Sequence, residues 1–403
     1  MIDIVALLLL AVCFIGIYVT IWFFLLFLEK EKEFHKHVDL KAFPKVSVLI
    51  PAHNEEKIIS KTISSMLKID YPRSRLEVVV IDDGSSDRTY QIAKSFAGKG
   101  VQVYRKKKGG KASALNYGLK RVRTDLILAL DADCFLARDA LKKMVGEMQD
   151  KWTMAAIPSI EVLNKVSILQ KIQAIEYSFM NFFRKLTASI YALAIAPAAV
   201  LYKTKFLRKY GGFDENTLTE DFEIGLRIVS HNFSIAHVFD SNVFTIVPAG
   251  LGELMKQRIR WAYGSFTELS KYKRLLSIKY GDLGAFILPQ IPIYAGIVIF
   301  VLILTMTSAI QDALRQLYLL ELIGYDIRIS LSFSFLYLFD IRSFVVIIMG
   351  LLAFLNYFLV KRTKRENINF AYFLIYVFIY SWLLVFFEFV AILYFLFRKK
   401  PRW

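Results

Sequence analysis

Cysteine is almost absent from this chain: Cys13 and Cys134 are the only two in 403 residues. Two thiols cannot build a disulfide-stapled scaffold or a four-ligand zinc ribbon. No internal repeat and no low-complexity tract is present, which excludes fibrous and solenoid designs. Acidic residues are in short supply, 35 Asp+Glu against 52 Lys+Arg, leaving a net charge of +17. A nucleic-acid binder is one reading of that balance, but basic residues flanking membrane segments and facing anionic lipid explain it better. Also missing is any long apolar run between Lys45 and about Tyr280, although 56% of the chain is hydrophobic and 15% aromatic. The grease is therefore concentrated at the two ends. Such a composition excludes a disordered chain and a purely soluble enzyme. Length alone would suggest two or three soluble domains.

What is there begins with an apolar run, Ile4 to Leu28, of about 25 residues against the ~20 that span a bilayer. It is too long for a signal peptide and has Asp3 where a basic region should stand. Lys30, Lys32 and Lys36 follow it, so the positive-inside rule places the next segment in the cytoplasm. Further candidate spans are 285–310, 343–360 and 369–397. The basic stretches Lys361–Arg365 and Arg398–Arg402 both favour the cytoplasmic side, which one intervening span cannot satisfy. Between the first two of these spans, Ile327–Phe335 alternates like a strand, within a segment read as a small external cap or an interface stretch.

The middle of the chain alternates. Val46–Ile50, Glu77–Ile81, Val101–Tyr104 and Leu126–Leu130 read as buried strands; Glu55–Leu67, Asp87–Phe96 and Lys111–Val122 read as helices. Strand, helix, strand is the pattern of an α/β sheet, whose ligands sit at the carboxyl ends of the strands. Val162–Ile190 has apolar residues at helical spacing with Lys165, Lys171, Arg184 and Lys185 among them. A helix in the membrane interface and a core-packing helix fit it equally.

The chemistry-bearing residues stand in the expected loops. Asp82 and Asp83 follow one strand, Asp131 and Asp133 another, and Glu220 and Asp221 sit in LTED. An Asp-x-Asp after a strand is a hard-oxygen pair suited to Mg²⁺ or Mn²⁺ and a diphosphate, although a lone pair of this kind is more often a solvated loop. Lys106, Lys107, Lys108 and Lys111 bracket Gly109 and Gly110 at the start of a helix, without P-loop spacing. Gln257-Arg258-Ile259-Arg260-Trp261 offers planar cations for phosphate and a flat face for a sugar ring; alone it reads equally as a membrane-surface helix.

Together and in this order, PAHNE (51–55), DDGSSD (82–87), GGKASALNYGL (109–119), DAD (131–133), GGFDENTLTED (211–221) and QRIRW (257–261) closely resemble the family-2 inverting glycosyltransferases. Among these the chain is similar to the membrane-integrated cellulose, chitin, hyaluronan and poly-N-acetylglucosamine synthases, over roughly residues 45–270. The resemblance implies a GT-A (Rossmann-like) α/β domain at 30–280, with interface helices near 162–190 and 250–275, between an N-terminal helix (1–29) and a C-terminal membrane region (281–403). It implies a hexosyltransferase of the plasma membrane, its catalytic domain cytoplasmic, using a UDP-sugar and Mg²⁺ or Mn²⁺. Pro51, Asn54, Glu55, Asp82 and Asp83 would line the nucleoside pocket. Lys111 would approach the donor diphosphate. Asp131 would bind donor and metal, and Asp133 the metal. Asp221 would be the general base, supported by Glu220. Gln257, Arg258 and Arg260 would hold the diphosphate, and Trp261 with Thr219 would receive the acceptor. The implied product is an exported polysaccharide, with N-acetylglucosamine polymer favoured. The alternative is one or few sugars on a membrane lipid, as glucosylceramide-type synthases make. A single in-line displacement needs no covalent enzyme nucleophile, so the lack of a Ser-His or Cys-His arrangement is in keeping.

Overall fold

The computed structural model describes residues 4–36, 38–195, 197–322, 341–364 and 368–401. The alternating reading at Ile327–Phe335 therefore lies outside the described residues. Two compact units are present, one made of Met1–Leu28 with Gln290–Glu366, the other of Glu29–Pro289 with Asn367–Trp403.

The larger unit holds eight strands: β1 (Val46–Ala52), β2 (Leu76–Asp82), β3 (Val101–Arg105), β4 (Leu126–Leu130), β5 (Cys134–Leu136), β6 (Thr153–Val162), β7 (Ala199–Lys203) and β8 (Ser234–Thr245). They form one mixed sheet in the order β3-β2-β1-β4-β7-β6-β8-β5. The four strands read from the sequence form one parallel block: β1 pairs with β2 and β4, and β2 with β3, while β6 and β8 make a second parallel pair. β7 runs antiparallel to β4 and β6, and β5 antiparallel to β8. Successive side chains of a strand point to opposite faces. Val46, Val48 and Ile50 enter one apolar layer and Leu49 the other, and Val78 and Val80 part company with Val79 and Ile81 in the same way. This is why these strands are continuous apolar runs: both faces are covered.

The covering helices are α2 (Ile59–Leu67), α3 (Thr89–Lys94), α4 (Lys111–Leu119), α5 (Ala140–Glu147), α6 (Ile168–Ser189), α7 (Thr204–Tyr210), α8 (Glu220–Ser230) and α9 (Leu251–Lys271), after α1 (Ile4–Lys30) at the start of the chain. α2 and α5 cover one face of the sheet; α4, α7 and α8 cover the other. α6 starts six residues later than the sequence pattern suggests, because Val162 closes β6. Its start is fixed by a capping box between Ser167 and Gln170. Its buried Ile175, Tyr177 and Phe182 belong to the protein interior. The last apolar stretch, α12 (Phe370–Ile375) and α13 (Ser381–Leu396) joined by a π-helical turn, packs with this unit: Tyr380, Phe387 and Ala391 cluster with Ile172 of α6 and Leu254 and Ile259 of α9. In the smaller unit α10 is Gln290–Leu322 and α11 is Ile341–Lys364. Among the described residues two helices are long and apolar enough to cross a membrane, Leu10–Glu33 and Phe370–Leu396.

Strand order reverses between β1 and β4, with β2 and β3 on one side and β7 on the other. A crevice opens outside the strand ends at such a point. PAHNE leaves β1 there, DAD leaves β4, and DDGSSD leaves the adjacent β2.

Candidate active site

The crevice is a cavity of about 760 Å³. Of the residues singled out from the sequence, Pro51, Glu55, Asp83, Lys111, Asp131, Asp133, Thr219, Glu220, Asp221, Gln257, Arg260 and Trp261 line it. Asn54, Asp82 and Arg258 do not.

Each of those three braces a neighbour instead. Asn54 accepts from the Ser86 N–H at 2.9 Å, tying the β1 loop to the β2 loop. Asp82 is fully buried, with Arg105 Nε 3.1 Å from its Oδ2. Arg258 is 7% exposed; it donates to Glu176 Oε2 at 2.7 Å, and Tyr380 donates to the same oxygen at 2.8 Å. Its guanidinium also lies 4.2 Å from the centre of the Trp261 ring, so it stacks behind a residue that lines the cavity.

On the donor side, Asp83 fixes the glycine-lysine loop. Its carboxylate accepts from Gly109 N–H at 3.0 Å, Gly110 N–H at 2.6 Å and Lys106 Nζ at 2.7 Å. The loop comes so close that a Cβ on Gly84 would stand 2.9 Å from Lys108 N, and Gly84 has φ +71°. Lys111 opens α4 and joins two motifs: its Nζ is 2.6 Å from Asp131 Oδ1 and 2.8 Å from Glu220 Oε1. Burial would lower its pKa, but Asp131, Glu220 and Asp221 together raise it well above the ordinary lysine value. Asp131, Asp133 and Cys134 bring potential ligand atoms within 4.8 Å of one another. The two carboxylates suit Mg²⁺ or Mn²⁺; the Cys134 thiol is soft, buried and shares a hydrogen bond with Asp133, so it packs rather than ligates. Burial, then the charges of Asp133, Asp87 and Asp131, push Glu55 up to about 7. A cation between the aspartates would relieve that crowding.

On the other side, Glu220 and Asp221 form the first turn of α8, where the helix dipole favours negative charge. Their environments separate them. For Glu220, burial is outweighed by the Lys111 ion pair and the pKa falls; for Asp221, burial and the adjacent Glu220 raise it to about 6. The turn is placed by two contacts of other motifs. Asn116 of α4 accepts from Phe213 N–H at 2.9 Å and donates to Phe213 O at 2.8 Å, holding the GGFDENTLTED loop. Gly264 of α9 lets that helix press on Thr219, since a Cβ there would lie 2.3 Å from Thr219 Cγ2.

A carboxylate pair for cation and diphosphate, a lysine between donor and acceptor sides, and a second carboxylate tuned toward neutrality make a site for group transfer to a hydroxyl. The comparisons with known proteins agree. Residues 47–211 match the model of glycosyl transferase family 2. The match covers the first part of the α/β unit, and the chain is a glycosyltransferase. It is 28% identical over 368 residues to a poly-beta-1,6-N-acetyl-D-glucosamine synthase of Staphylococcus epidermidis, covering 88% of this chain and 85% of the relative. To the Bacillus subtilis (strain 168) protein named "Probable glycosyltransferase YdaM" it is 29% identical over 393 residues, 91% and 87% of the two chains. Among solved structures, a mannosyltransferase of Pyrobaculum calidifontis in complex with GDP-Man and Mn²⁺ superposes with a TM-score of 0.63 at 18% identity, covering 98% of this chain and 99% of the other. That likeness shows a shared GT-A-like fold.

The cavity of this glycosyltransferase also uses residues that no motif flagged. Tyr177, Met180 and Arg184 of α6 line it at spacings of three and four, one helical face. The signal was in the sequence as a tyrosine and an arginine seven apart on one stripe.

Proposed function

We propose that the chain is a membrane-integrated inverting hexosyltransferase that moves sugar from a UDP-sugar to a growing polysaccharide, N-acetylglucosamine polymer first, with processive extension and export coupled to it. The observation that carries this reading is the meeting of DAD, Lys111, Glu220–Asp221 and Arg260–Trp261 on one cavity. The name of the Staphylococcus epidermidis relative, matched over 85% of its length, supports the polymer and the sugar.

Asp221 takes the proton of the acceptor hydroxyl as its oxygen bonds to the anomeric carbon; the bond from that carbon to the diphosphate oxygen breaks on the opposite face, and UDP leaves. Lys111, Gln257 and Arg260 hold the diphosphate as its charge grows, while Arg258, off the cavity, backs the ring of Trp261. Pro51, Glu55 and Asp83 border the nucleoside, with Asn54 and Asp82 bracing their loops. Trp261 and Thr219 receive the acceptor. Asp131 and Asp133 would hold Mg²⁺ or Mn²⁺, which supplies positive charge to the leaving diphosphate when bound. Leu10–Glu33 and Phe370–Leu396 serve as spans in the plasma membrane, with the α/β domain cytoplasmic. Phe378, Ile379, Trp382 and Phe386 are exposed on the second of these, as lipid contact requires.

The test is incubation of membranes holding the full chain with a panel of labelled UDP-sugars, followed by size separation and solvent extraction of product. UDP-N-acetylglucosamine is expected to give long, solvent-insoluble chains, in a reaction stopped by EDTA and restored by Mg²⁺ or Mn²⁺. A solvent-extractable product with one or few sugars would replace this reading with transfer to a lipid acceptor. Activity that survives EDTA would remove the metal.

A further inference from the structure

Arg184 is a charged side chain in the wall of the cavity. It is 7% exposed, and its Nη1 has no hydrogen-bond partner among the described residues. The carboxylate on its own helix, Glu176, is taken by Arg258 and Tyr380. A buried guanidinium left in this state is unfavourable in the free protein, and a ligand bearing oxygens would satisfy it. Two more buried polar atoms on the same cavity lack hydrogen-bond partners among the described residues, Thr219 Oγ1 and Gln257 Oε1. Thr219 stands one residue before the Glu220–Asp221 pair, so its hydroxyl marks the acceptor side.

The surroundings select the ligand. Ile160, Met180, Ile195 and Pro197 contribute an apolar lining to the same cavity. Asp221, Glu220, Asp131 and Asp133 border the same space, and they disfavour an acceptor that is itself an anion. A neutral group with a strong acceptor oxygen and an apolar end fits both: an acylated amine on the acceptor sugar, its carbonyl oxygen on the guanidinium and its methyl on the apolar wall.

We propose that Arg184 is an acceptor-binding and specificity-determining residue that holds the acylamino group of the terminal acceptor sugar and, by its fixed positive charge, turns away acceptors with a free amine. The proposal rests on the polysaccharide reading above. Without Arg184 the neighbouring carboxylates would welcome an ammonium; with it that welcome is cancelled.

The experiment uses the full chain in membranes with UDP-N-acetylglucosamine and short N-acetylglucosamine oligosaccharides, fully acetylated or with the terminal amine free. The wild type is expected to favour the acetylated acceptor by at least tenfold in kcat/KM. Arg184→Gln should raise the acceptor KM at least tenfold and abolish that preference, with the affinity for UDP unchanged as proof of an intact fold. Arg184→Lys should keep the rejection of the amine while binding the acetylated acceptor more weakly. An unchanged preference in Arg184→Gln, or a change confined to donor KM, would overturn the proposal while leaving polymer synthesis standing. Wild-type protein that extends a lipid and neither oligosaccharide would overturn the polysaccharide reading, and this proposal with it.

Discussion

Asp221 can act as a base only after losing its own proton. Burial holds its pKa up at about 6, with Glu220 adding to the effect and Lys111 opposing it. Asp131 after β4 pushes in the same direction as Glu220, and Arg184 of α6 and Tyr202 of β7 also sense the Asp221 charge. The sign follows: kcat/KM for the donor should be flat above the midpoint and fall about tenfold per pH unit below it, with the midpoint near 6. A kcat/KM profile between pH 4.5 and 8 measures this, and a profile flat through 6 would remove Asp221 as the titrating base. The aspartates, Lys111 and Asp221 were legible in the sequence because each stands at a strand end or helix start. The two arginines of QRIRW were not separable there. Positions two apart on a helix face different ways, so Arg260 reaches the cavity while Arg258 turns to Glu176 and the back of Trp261.

At the scale of elements, α9 decides where acceptor and base meet. It presses on the start of α8 through Gly264 and is tied to α6 and the last helix through Arg258, Glu176 and Tyr380. Removing one partner of such a buried pair typically costs about 3–5 kcal/mol. Gly264→Ala should shift Thr219 and with it the carboxylate turn, costing about 1–3 kcal/mol of stability by overpacking and at least tenfold in turnover. Gly252→Ala, on the same helix with open space around it, is the control and should leave both unchanged or slightly improved. Thermal melts and initial rates compare the two; equal behaviour would show that the α8–α9 contact does not position the site. Strands β1, β2 and β4 were readable as continuous apolar runs because both their faces are buried. β6 and β8 were hidden, since their pairing shifts register between Thr153 and Ala155 and between Pro158 and Ser159. Pro158, Ser159 and His237 also break the apolar pattern there, so those ten- and twelve-residue strands do not read as continuous runs.

For the whole molecule, the charge and the grease separate. One α/β unit carries the chemistry, and part of the excess of 52 Lys+Arg over 35 Asp+Glu works inside it as Lys111, Arg184, Arg258 and Arg260. Membrane integration is expected to keep the full chain in the pellet after an alkaline carbonate wash, with release only by detergent; recovery in the carbonate supernatant would contradict it. Above these details stands one claim, that the cavity at the β1–β4 switch point is a sugar-transfer centre with Asp221 as its base. Turnover of UDP-sugar by Asp221→Asn, set beside its affinity for UDP, tests it most directly. The expected result is a loss of at least about a hundredfold in kcat with UDP binding intact. Near-normal turnover by that variant would contradict the claim.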